Sequence, residues 1–215
     1  MKIVITGGTG FIGTSLVDHL LSRGDSVVVL TKRNLPASVN RNLTFEHWDG
    51  TLPGSWAKHI DGADAVVTLA GENLSTKRWS ARQKKILRDS RIVTTRAVVT
   101  AIGEAKKKPS VLVSASGAGY YGDVAEGDVT EDAPKGTGFL ADLCGDWEGE
   151  AVKASASGVR VVIMRTGVVL GSQGGALKKM ILPFRLFAGG TLGTGRQWFP
   201  WIHIEDQIGF ILYAL

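Results

Sequence analysis

Three glycines at intervals of three follow the first apolar run, in the segment Gly7-Gly8-Thr9-Gly10-Phe11-Ile12-Gly13. Gly7 allows a tight turn, Gly10 lets the backbone approach a pyrophosphate, and Gly13 lets a following helix pack closely on a sheet. The N-terminal amides of that helix then face the anion. Because the segment lies between a strand pattern and an amphipathic helix pattern, it predicts a dinucleotide site rather than a purely structural turn.

The end of the second apolar run indicates which dinucleotide binds. A site for NAD places Asp or Glu about 20 residues past the glycines, where the acid binds the ribose 2′-hydroxyl. Here Asp25 precedes the run and the next acid is Glu46, whereas Thr31, Lys32 and Arg33 stand at its end. Because Arg can fork a 2′-phosphate with two charge-assisted hydrogen bonds, this pattern favours NADP(H) over NAD(H). The alternative is that both cations are solvated surface residues.

Short apolar runs alternate with helical patterns along the chain. Predicted strands cover Lys2–Thr6, Ser26–Leu30, Thr44–His47, Ala65–Leu69, Val111–Ser114 and Val159–Met164. Predicted helices cover Phe11–Ser22, Ser80–Lys107 and Phe139–Ser157, and Ile204–Leu215 also has a helical pattern. Arg23-Gly24 should stop the first helix, and Ser80 with Gln83 reads as a capping box for the second. This alternation predicts the α/β class, with a Rossmann-type doubly wound parallel sheet.

Composition excludes several other classes of protein. The chain has 215 residues, 44% of them hydrophobic, with 28 Gly, 6 Pro and 1 Cys. A single Cys rules out a disulfide framework and a Cys-based zinc site and fits a reducing compartment, so we expect a cytoplasmic protein. No apolar run reaches the length of a membrane span, and we expect no targeting segment. The net charge of +5 comes from scattered basic residues, so nucleic acid is a disfavoured main partner.

Several further motifs carry a resemblance to a known family. The segments are Leu69-Ala70-Gly71-Glu72-Asn73, Ser116 to Gly122, Asp146-Trp147-Glu148, Arg165 to Gly171 and Phe199 to Asp206. Together with the glycine segment, they make the chain resemble the extended short-chain dehydrogenase/reductase superfamily, of the NAD-dependent epimerase/dehydratase type. Within it the chain is similar to an "epimerase family", some of whose members are named putative cell-division inhibitors.

The motif and the resemblance together imply a set of cofactor contacts. By resemblance, Asp49 should meet the adenine, and the end of the fourth strand should line the cofactor; an Asp-Gly turn is the equally weighted alternative for Asp49. The predicted cofactor-binding residues are Gly7, Thr9, Gly10, Phe11, Ile12, Gly13, Thr31, Lys32, Arg33, Asp49, Leu69, Ala70, Gly71 and Glu72.

The catalytic pair that the resemblance implies is missing. The superfamily uses a Tyr-x-x-x-Lys pair with a Ser or Thr, and the ammonium lowers the tyrosine pKa so that the phenol acts as acid or base near neutrality. Aligned on Glu148, this chain has Leu140 at the tyrosine position and Cys144 at the lysine position. Leucine has no proton to give, and a neutral thiol supplies no positive field. We expect Cys144 to be a packed side chain; a nucleophilic Cys144 is the disfavoured alternative.

Two residues of the Ser114 to Gly122 segment remain as catalytic candidates. Ser116 lies near the Ser/Thr position of the superfamily, and Tyr121 matches the tyrosine of its Val-Tyr-Gly segment, which faces substrate. Tyr121 can donate a proton to a carbonyl or sugar oxygen, although without a lysine it would be a poor base at pH 7. The alternative is that Tyr120 and Tyr121 are aromatic pocket walls.

Cations beside tryptophans are the candidates for substrate contact. Arg78 and Trp79 lie on the loop after the fourth strand, where they can meet an acidic or phosphorylated substrate; Arg196 and Trp201 form a second candidate group. The alternative for the first group is the solvated face that the neighbouring basic residues form. The four histidines have no metal-ligand spacing, so no metal site is predicted.

These patterns leave two functions open. The first is an NADP(H)-dependent oxidoreductase or epimerase acting on a small polar or nucleotide-linked substrate, and the second is a catalytically silent NADP(H)-binding redox sensor or regulator. We expect residues 1–170 to form the NADP(H)-binding Rossmann domain and residues 171–215 to be the truncated start of a substrate-binding region, because proteins of this type continue further. The expected partner is a small molecule, with no nucleic acid and no membrane, and a homodimer is left open.

Overall fold

The computed structural model describes residues 1–51, 53–191 and 193–215. Six parallel strands form the main sheet: β1 (Lys2–Thr6), β2 (Ser26–Thr31), β3 (Leu43–His47), β4 (Ala65–Thr68), β5 (Val111–Gly117) and β6 (Arg160–Thr166). Their order is β3-β2-β1-β4-β5-β6, so strands are added on one side of β1 up to β3 and on its other side from β4 onwards. This is the doubly wound arrangement that places a dinucleotide at the carboxyl ends of the strands. The predicted fold class is confirmed.

The helices complete the two outer layers. They are α1 (Phe11–Ser22), α2 (Ala81–Glu104), α3 (Phe139–Ala151), α4 (Gly175–Arg185) and α5 (Ile204–Ala214), with 3-10 turns at Ser55–His59, Ala118–Tyr121 and Val152–Ser157. The predicted bounds of α1 are confirmed, and Gly24 follows it in the left-handed region with φ +80°. The predicted third helix is divided, since its last six residues form the 3-10 turn.

Successive side chains of a strand point to opposite faces of the sheet, and each face packs against its own layer of helices. Val4 on β1 points into a cluster with Val98 and Ile102 of α2, whereas its neighbours Ile3 and Ile5 pack with α1 and α5 on the other face. Continuous Val and Ile runs are required because both faces of the sheet are covered.

The start of α2 shows a cap that the sequence predicted. Ser80 Oγ accepts a hydrogen bond from the Gln83 amide at 3.2 Å. The Ser80 amide donates to the Arg78 carbonyl, so the cap is formed without the reciprocal half of a capping box. This fixes where the loop after β4 joins α2.

The C-terminal part adds a small second sheet. β7 (Val168–Gly171) pairs in parallel with β8 (Trp201–His203), and α5 follows β8 directly. His203 Nδ1 accepts a hydrogen bond from the Glu205 amide at 3.3 Å, which caps α5. Ile208 and Ile211 of α5 are fully buried in the cluster that contains α1. The segment after β6 therefore packs back onto the main sheet.

Candidate functional site

The turn after β1 is built on glycines that have no room for side chains. Gly7 has φ +75°, and a Cβ there would lie 2.7 Å from the Ala70 amide nitrogen. A Cβ on Gly13 would lie 2.2 Å from the Gly7 carbonyl oxygen, so α1 can sit against the turn only without one. Gly10 caps α1 with extended backbone, and the first turn of the helix carries no acidic side chain. The free amides at this end of α1 can therefore face an anion.

A cavity of about 310 Å³ lies along this turn at the carboxyl ends of β1, β2 and β4. Ten of the fourteen predicted cofactor residues line it: Gly7, Thr9, Gly10, Thr31, Lys32, Arg33, Leu69, Ala70, Gly71 and Glu72. Phe11, Ile12 and Gly13 stand behind the turn instead. Phe11 and Ile12 are the first residues of α1, and their side chains pack against the buried cluster that this helix shares with the sheet. The ring of Phe11 also lies against the turn at residues 171–175.

Lys32 and Arg33 are the cations of the cavity. Both are exposed, and the Arg33 amide donates to Thr31 Oγ1 at 3.1 Å, which holds the chain where it leaves β2. The Lys32 side chain passes over Gly50, because a Cβ there would lie 3.1 Å from Lys32 Cε. The only carboxylate among the described cavity residues is that of Glu72, which lies on the loop after β4. The end of β2 is thus basic, as a 2′-phosphate requires.

Asp49 takes part in a turn. Its Oδ1 accepts hydrogen bonds from the Thr51 amide at 2.8 Å and from Thr51 Oγ1 at 2.7 Å, and these bonds hold the pKa of Asp49 below its ordinary value. Its neighbours Trp48 and Gly50 line the cavity. The turn alternative is therefore realised, and a contact between Asp49 and adenine stays a prediction.

Five residues of the cavity wall were not predicted: Leu30, Trp48, Gly50, Ser90 and Thr94. Trp48 is buried against Trp56, with ring centroids 5.2 Å apart, and it also forms an edge of the cavity. Ser90 and Thr94 lie four residues apart on α2 and so share a face of the helix. Their i, i+4 spacing is the signal that could have identified them, once α2 was known to cross the end of β4.

Ser116 is joined to Glu148. Its hydroxyl donates to Glu148 Oε1 at 2.5 Å, and both residues are buried, at 8% exposure. Glu148 also forks the guanidinium of Arg165, with Nε–Oε1 and Nη2–Oε2 distances of 3.0 and 2.9 Å. This fork raises the pKa of Arg165. A permanent positive charge is thereby held at the end of β6.

Arg165 contacts both tyrosines of the site. Its Nη1 donates to the Tyr121 hydroxyl oxygen at 3.0 Å and to the Glu131 carbonyl at 2.9 Å. Its Cζ lies 3.5 Å from the ring centre of Tyr120, in cation–π contact. The structure therefore brings the two predicted catalytic residues, Ser116 and Tyr121, onto one Glu148–Arg165 pair. Sequence reasoning placed Glu148 and Arg165 in family segments but gave neither a role.

The positions of the missing catalytic pair are filled by packing. Leu140 lies against Gly119, because a Cβ added to Gly119 would lie 3.1 Å from the Leu140 Cβ. Cys144 is buried beside Gly117, and burial raises the pKa of its thiol. A buried neutral thiol is a poor nucleophile, which agrees with the predicted packing role.

The four predicted substrate residues lie in two parts of the chain, after β4 and around the start of β8. Trp79 packs edge-on against Phe139 with ring centroids 5.5 Å apart, and its Nε1 donates to the Leu74 carbonyl at 2.8 Å. Arg78 is exposed beside it. Arg196 lies on the segment that leads into β8 and Trp201 is the first residue of β8, and both are exposed. None of the four is among the described residues that line the nucleotide cavity.

A bond between α4 and the loop after β4 brings the C-terminal part towards Arg78 and Trp79. Lys179 Nζ donates to Ser75 Oγ at 3.0 Å. A second bond joins Trp198 Nε1 to the Ala125 carbonyl at 2.9 Å. These two bonds join the segment after β7 to the loop after β4 and to the chain that follows β5.

Two further features are absent from the described part of the chain. It contains no cluster of three His, Cys, Asp or Glu side chains arranged to hold a metal ion. No helix in it is long and apolar enough to span a membrane.

Comparison with known proteins gives matches along the chain. Residues 3–215 match the family described as "NAD dependent epimerase/dehydratase family". The "Epimerase family protein SDR39U1 homolog, chloroplastic" of Arabidopsis thaliana is 43% identical over 220 residues, which cover 100% of this chain and 62% of the relative. This chain thus spans less than two thirds of that relative's length.

Two solved structures share the fold and part of the sequence. Human epimerase family protein SDR39U1 (isoform 2), crystallised with NADPH, superposes with a TM-score of 0.86 at 36% identity, covering 100% of this chain and 70% of the human one. A nucleoside-diphosphate sugar epimerase from Corynebacterium glutamicum superposes with a TM-score of 0.83 at 34% identity, covering 100% of this chain and 43% of the other.

Proposed function

This chain belongs to the NAD-dependent epimerase/dehydratase family, and from that premise we propose that it is an NADP(H)-dependent oxidoreductase or epimerase without a Tyr-x-x-x-Lys pair. Its proposed substrate is a small polar or nucleotide-linked molecule. Residues 1–170 are proposed as the cofactor-binding domain and residues 171–215 as the start of the substrate-binding region.

The observation that carries the cofactor proposal is the shape and charge of the cavity after β1. The turn leaves no space for a Cβ at Gly7 or Gly13, so backbone amides border the cavity where a pyrophosphate would lie. Lys32 and Arg33 line the end of β2, where an NAD site has an acid. The NADPH in the human relative's structure supports the same choice of cofactor.

Fluorescence titration with NADPH and NADH tests the choice. We expect NADPH to bind at least about tenfold more tightly, because a 2′-phosphate forms charge-assisted bonds that a hydroxyl cannot. Arg33→Ala should remove most of this preference, and Lys106→Ala, an exposed cation far along the sequence, should leave it unchanged. Equal affinities for the two nucleotides would overturn the NADP(H) assignment.

Tyr121 is the proposed proton donor. Because Arg165 Nη1 donates to the Tyr121 oxygen, the hydroxyl proton of Tyr121 is left to point at a substrate oxygen. The Ser116 hydroxyl already donates its hydrogen bond to Glu148, so towards a substrate it can act only as a hydrogen-bond acceptor. NADP(H), when bound, supplies or accepts the hydride. The residues of this chain orient Tyr121 and move the proton that accompanies that hydride.

The alternative is a catalytically silent NADP(H)-binding sensor or regulator. It is favoured by Leu140 and Cys144, which pack into the places of the family's tyrosine and lysine. Cofactor binding is common to both proposals, so only turnover separates them.

Oxidation of bound NADPH by a panel of carbonyl compounds and nucleotide sugars tests the enzyme proposal. We expect turnover with at least one compound, and a loss of about 10²- to 10⁴-fold in kcat for Tyr121→Phe, the usual contribution of a positioned acid. Tyr213→Phe is the matched control, since Tyr213 is 92% exposed on α5. Tight NADPH binding without turnover of any compound would favour the silent sensor.

A further inference from the structure

A buried arginine without a carboxylate partner lies behind the cavity. Arg91 on α2 is only 9% exposed. Its Nη1 donates to the Leu87 carbonyl at 3.0 Å and its Nη2 to the Glu72 carbonyl at 3.0 Å, and Cζ lies 5.3 Å from the ring centre of Trp147. Its hydrogen bonds are thus made to neutral groups. In the parts of the chain that the structure describes, no Asp or Glu oxygen lies within 4.0 Å of it.

Burying the charged guanidinium of Arg91 costs free energy. Buried cations are normally paired with a carboxylate, because neutral carbonyls do not balance the charge. Burial lowers the pKa of Arg91, although an arginine stays protonated at neutral pH. The nearest groups that can carry negative charge are the half-buried Glu72 and the thiol of Cys144. No direct ion pair neutralises the charge of Arg91, so its positive field reaches a ligand in the adjoining cavity.

The position of Arg91 indicates that its charge acts on the nicotinamide half of a bound cofactor. A Cβ on Gly71 would lie 3.0 Å from the Arg91 Cζ, and Gly71, Glu72 and Ser90 all line the cavity. In a doubly wound fold the end of β2 contacts the adenosine ribose, so the nicotinamide half of a bound dinucleotide would lie on the β4 and β5 side of β1. Arg91 would then stand on the nicotinamide side, behind the chain that follows β4, and its charge interacts with Cys144, which occupies the place of the family's lysine.

We propose that Arg91 is the cation that replaces this missing lysine, and that its charge makes the cofactor site favour the reduced nicotinamide over the oxidised one. This inference rests on the proposed binding of NADP(H). The oxidised ring carries a positive charge and the reduced ring carries none, so a fixed cation nearby repels only the oxidised form. Because the guanidinium is buried, solvent and salt screen this repulsion weakly. The site is then suited to hold NADPH and to release NADP⁺.

Two dissociation constants for each variant test the proposal, and neither requires a substrate. For the unmodified protein we expect Kd for NADP⁺ to exceed Kd for NADPH by about fivefold or more. Arg91→Gln keeps an amide donor for the carbonyls but removes the charge, and we expect it to lower this ratio by about three- to tenfold. Arg91→Lys keeps the charge and should keep the ratio within about twofold. Arg96→Gln, which changes an exposed cation on the same helix, is the matched control.

The outcomes separate this inference from the proposed function. A protein that binds neither NADPH nor NADP⁺ overturns both. Binding of both nucleotides with an Arg91→Gln ratio equal to that of the unmodified protein overturns only the role of Arg91, since a structural role would weaken both forms alike. If Arg91→Gln does not fold, tighter binding of NADP⁺ than of NADPH by the unmodified protein still overturns the proposal.

Discussion

Gly13 shows how a single hydrogen atom at Cα decides the geometry of the cavity. An alanine inside a helix normally stabilises it relative to glycine. At Gly13 the added Cβ would lie 2.2 Å from the Gly7 carbonyl oxygen and 2.6 Å from Gly8 Cα, both backbone atoms that cannot rotate away. We expect Gly13→Ala to lower the free energy of unfolding by about 1–3 kcal/mol and to weaken NADPH binding.

Gly149 provides the matched control for this substitution. It also lies inside a helix, is exposed, and has no described atom within 4 Å of an added Cβ. Gly149→Ala should therefore raise the free energy of unfolding by about 0.5–1 kcal/mol and leave NADPH binding unchanged. Urea unfolding and NADPH titration of both variants measure these effects. Equal stability changes in the two variants would show that Gly13 is not a packing contact.

Cys144 gives a direct chemical test of its burial. Because burial raises the pKa of the thiol, the thiolate is rarer at pH 8 than in an ordinary cysteine, and access to it is blocked as well. We expect the folded protein to react with Ellman's reagent at least about 100-fold more slowly than the protein in guanidinium. The reaction is easily read because the chain has a single Cys. Full modification of the folded protein within seconds would instead support a reactive Cys144.

At the residue scale, the sequence shows which groups are missing but not which ones stand in their place. Alignment on Glu148 alone shows that Leu140 and Cys144 occupy the positions of the family's tyrosine and lysine. Arg91 and Arg165 are more than 20 residues away from Cys144 in the chain and reach the site only because α2 and β6 lie beside it. Their roles depend on tertiary neighbours, and no local spacing reports those.

At the element scale, an ion pair connects α2 to α3. Arg96 Nη2 lies 2.5 Å from Glu150 Oε1, and Lys153 adds a second contact at 2.9 Å. The hydrogen bond from Arg96 is the main cause that holds the pKa of Glu150 below its ordinary value of 4.5. A carboxyl with a lowered pKa in the folded state adds stability above its unfolded pKa, and this stability is lost as the pH falls through the folded pKa.

Glu150→Gln should therefore destabilise the protein in a pH-dependent way. We expect a lower unfolding midpoint than that of the unmodified protein at pH 7. The difference should start to shrink near pH 4.5 and disappear below the lowered pKa of folded Glu150, where both proteins carry a neutral side chain at this position. Thermal unfolding at several pH values measures it, with Glu104→Gln on the exposed end of α2 as the control. A difference that is constant with pH would mean that the charge of Glu150 adds no stability.

The long elements follow from the sequence and the short ones do not. Each strand of the main sheet was predicted to within three residues at either end, and for β1, β2, β4 and β5 this is because an apolar run is covered on both faces. β7 and β8 have only four and three residues, and they form because the turn at Gly167 lies against Pro200 and Trp201. α4 begins at Gly175 and contains Pro183, which hid its helical pattern. Such elements depend on contacts distant in sequence.

At the scale of the whole molecule, the excess of basic residues is partly accounted for by the cofactor site. Lys32 and Arg33 face the cavity from the end of β2, and Arg91 stands behind its other half. Others pair with acids along the helices, as Arg88 does with Asp146 and Arg96 with Glu150. This distribution fits a polyanionic small molecule better than a nucleic-acid surface, which would need cations clustered on one face.

The proposed boundary near residue 170 separates functions but does not interrupt the core. α5 lies after that boundary, yet Ile211 is fully buried with α1 and β1, and Arg160 Nη2 on β6 donates to the Ala214 carbonyl at 2.6 Å. A helix that fills the core of the sheet should unfold together with it. We therefore expect residues 1–170 and α5 to form one cooperative unit.

Substitution in α5 tests this cooperativity. Ile211→Ala should lower the free energy of unfolding by about 2–5 kcal/mol, the cost of a cavity in a packed core. The loss should appear as a shift of one transition, seen at the same urea concentration by circular dichroism and by tryptophan fluorescence. Tyr213→Ala, at a residue 92% exposed on the same helix, should change stability by less than about 0.5 kcal/mol. If Ile211→Ala produced a separate early transition, α5 would be an independent unit, and the substrate-binding region would fold apart from the cofactor domain.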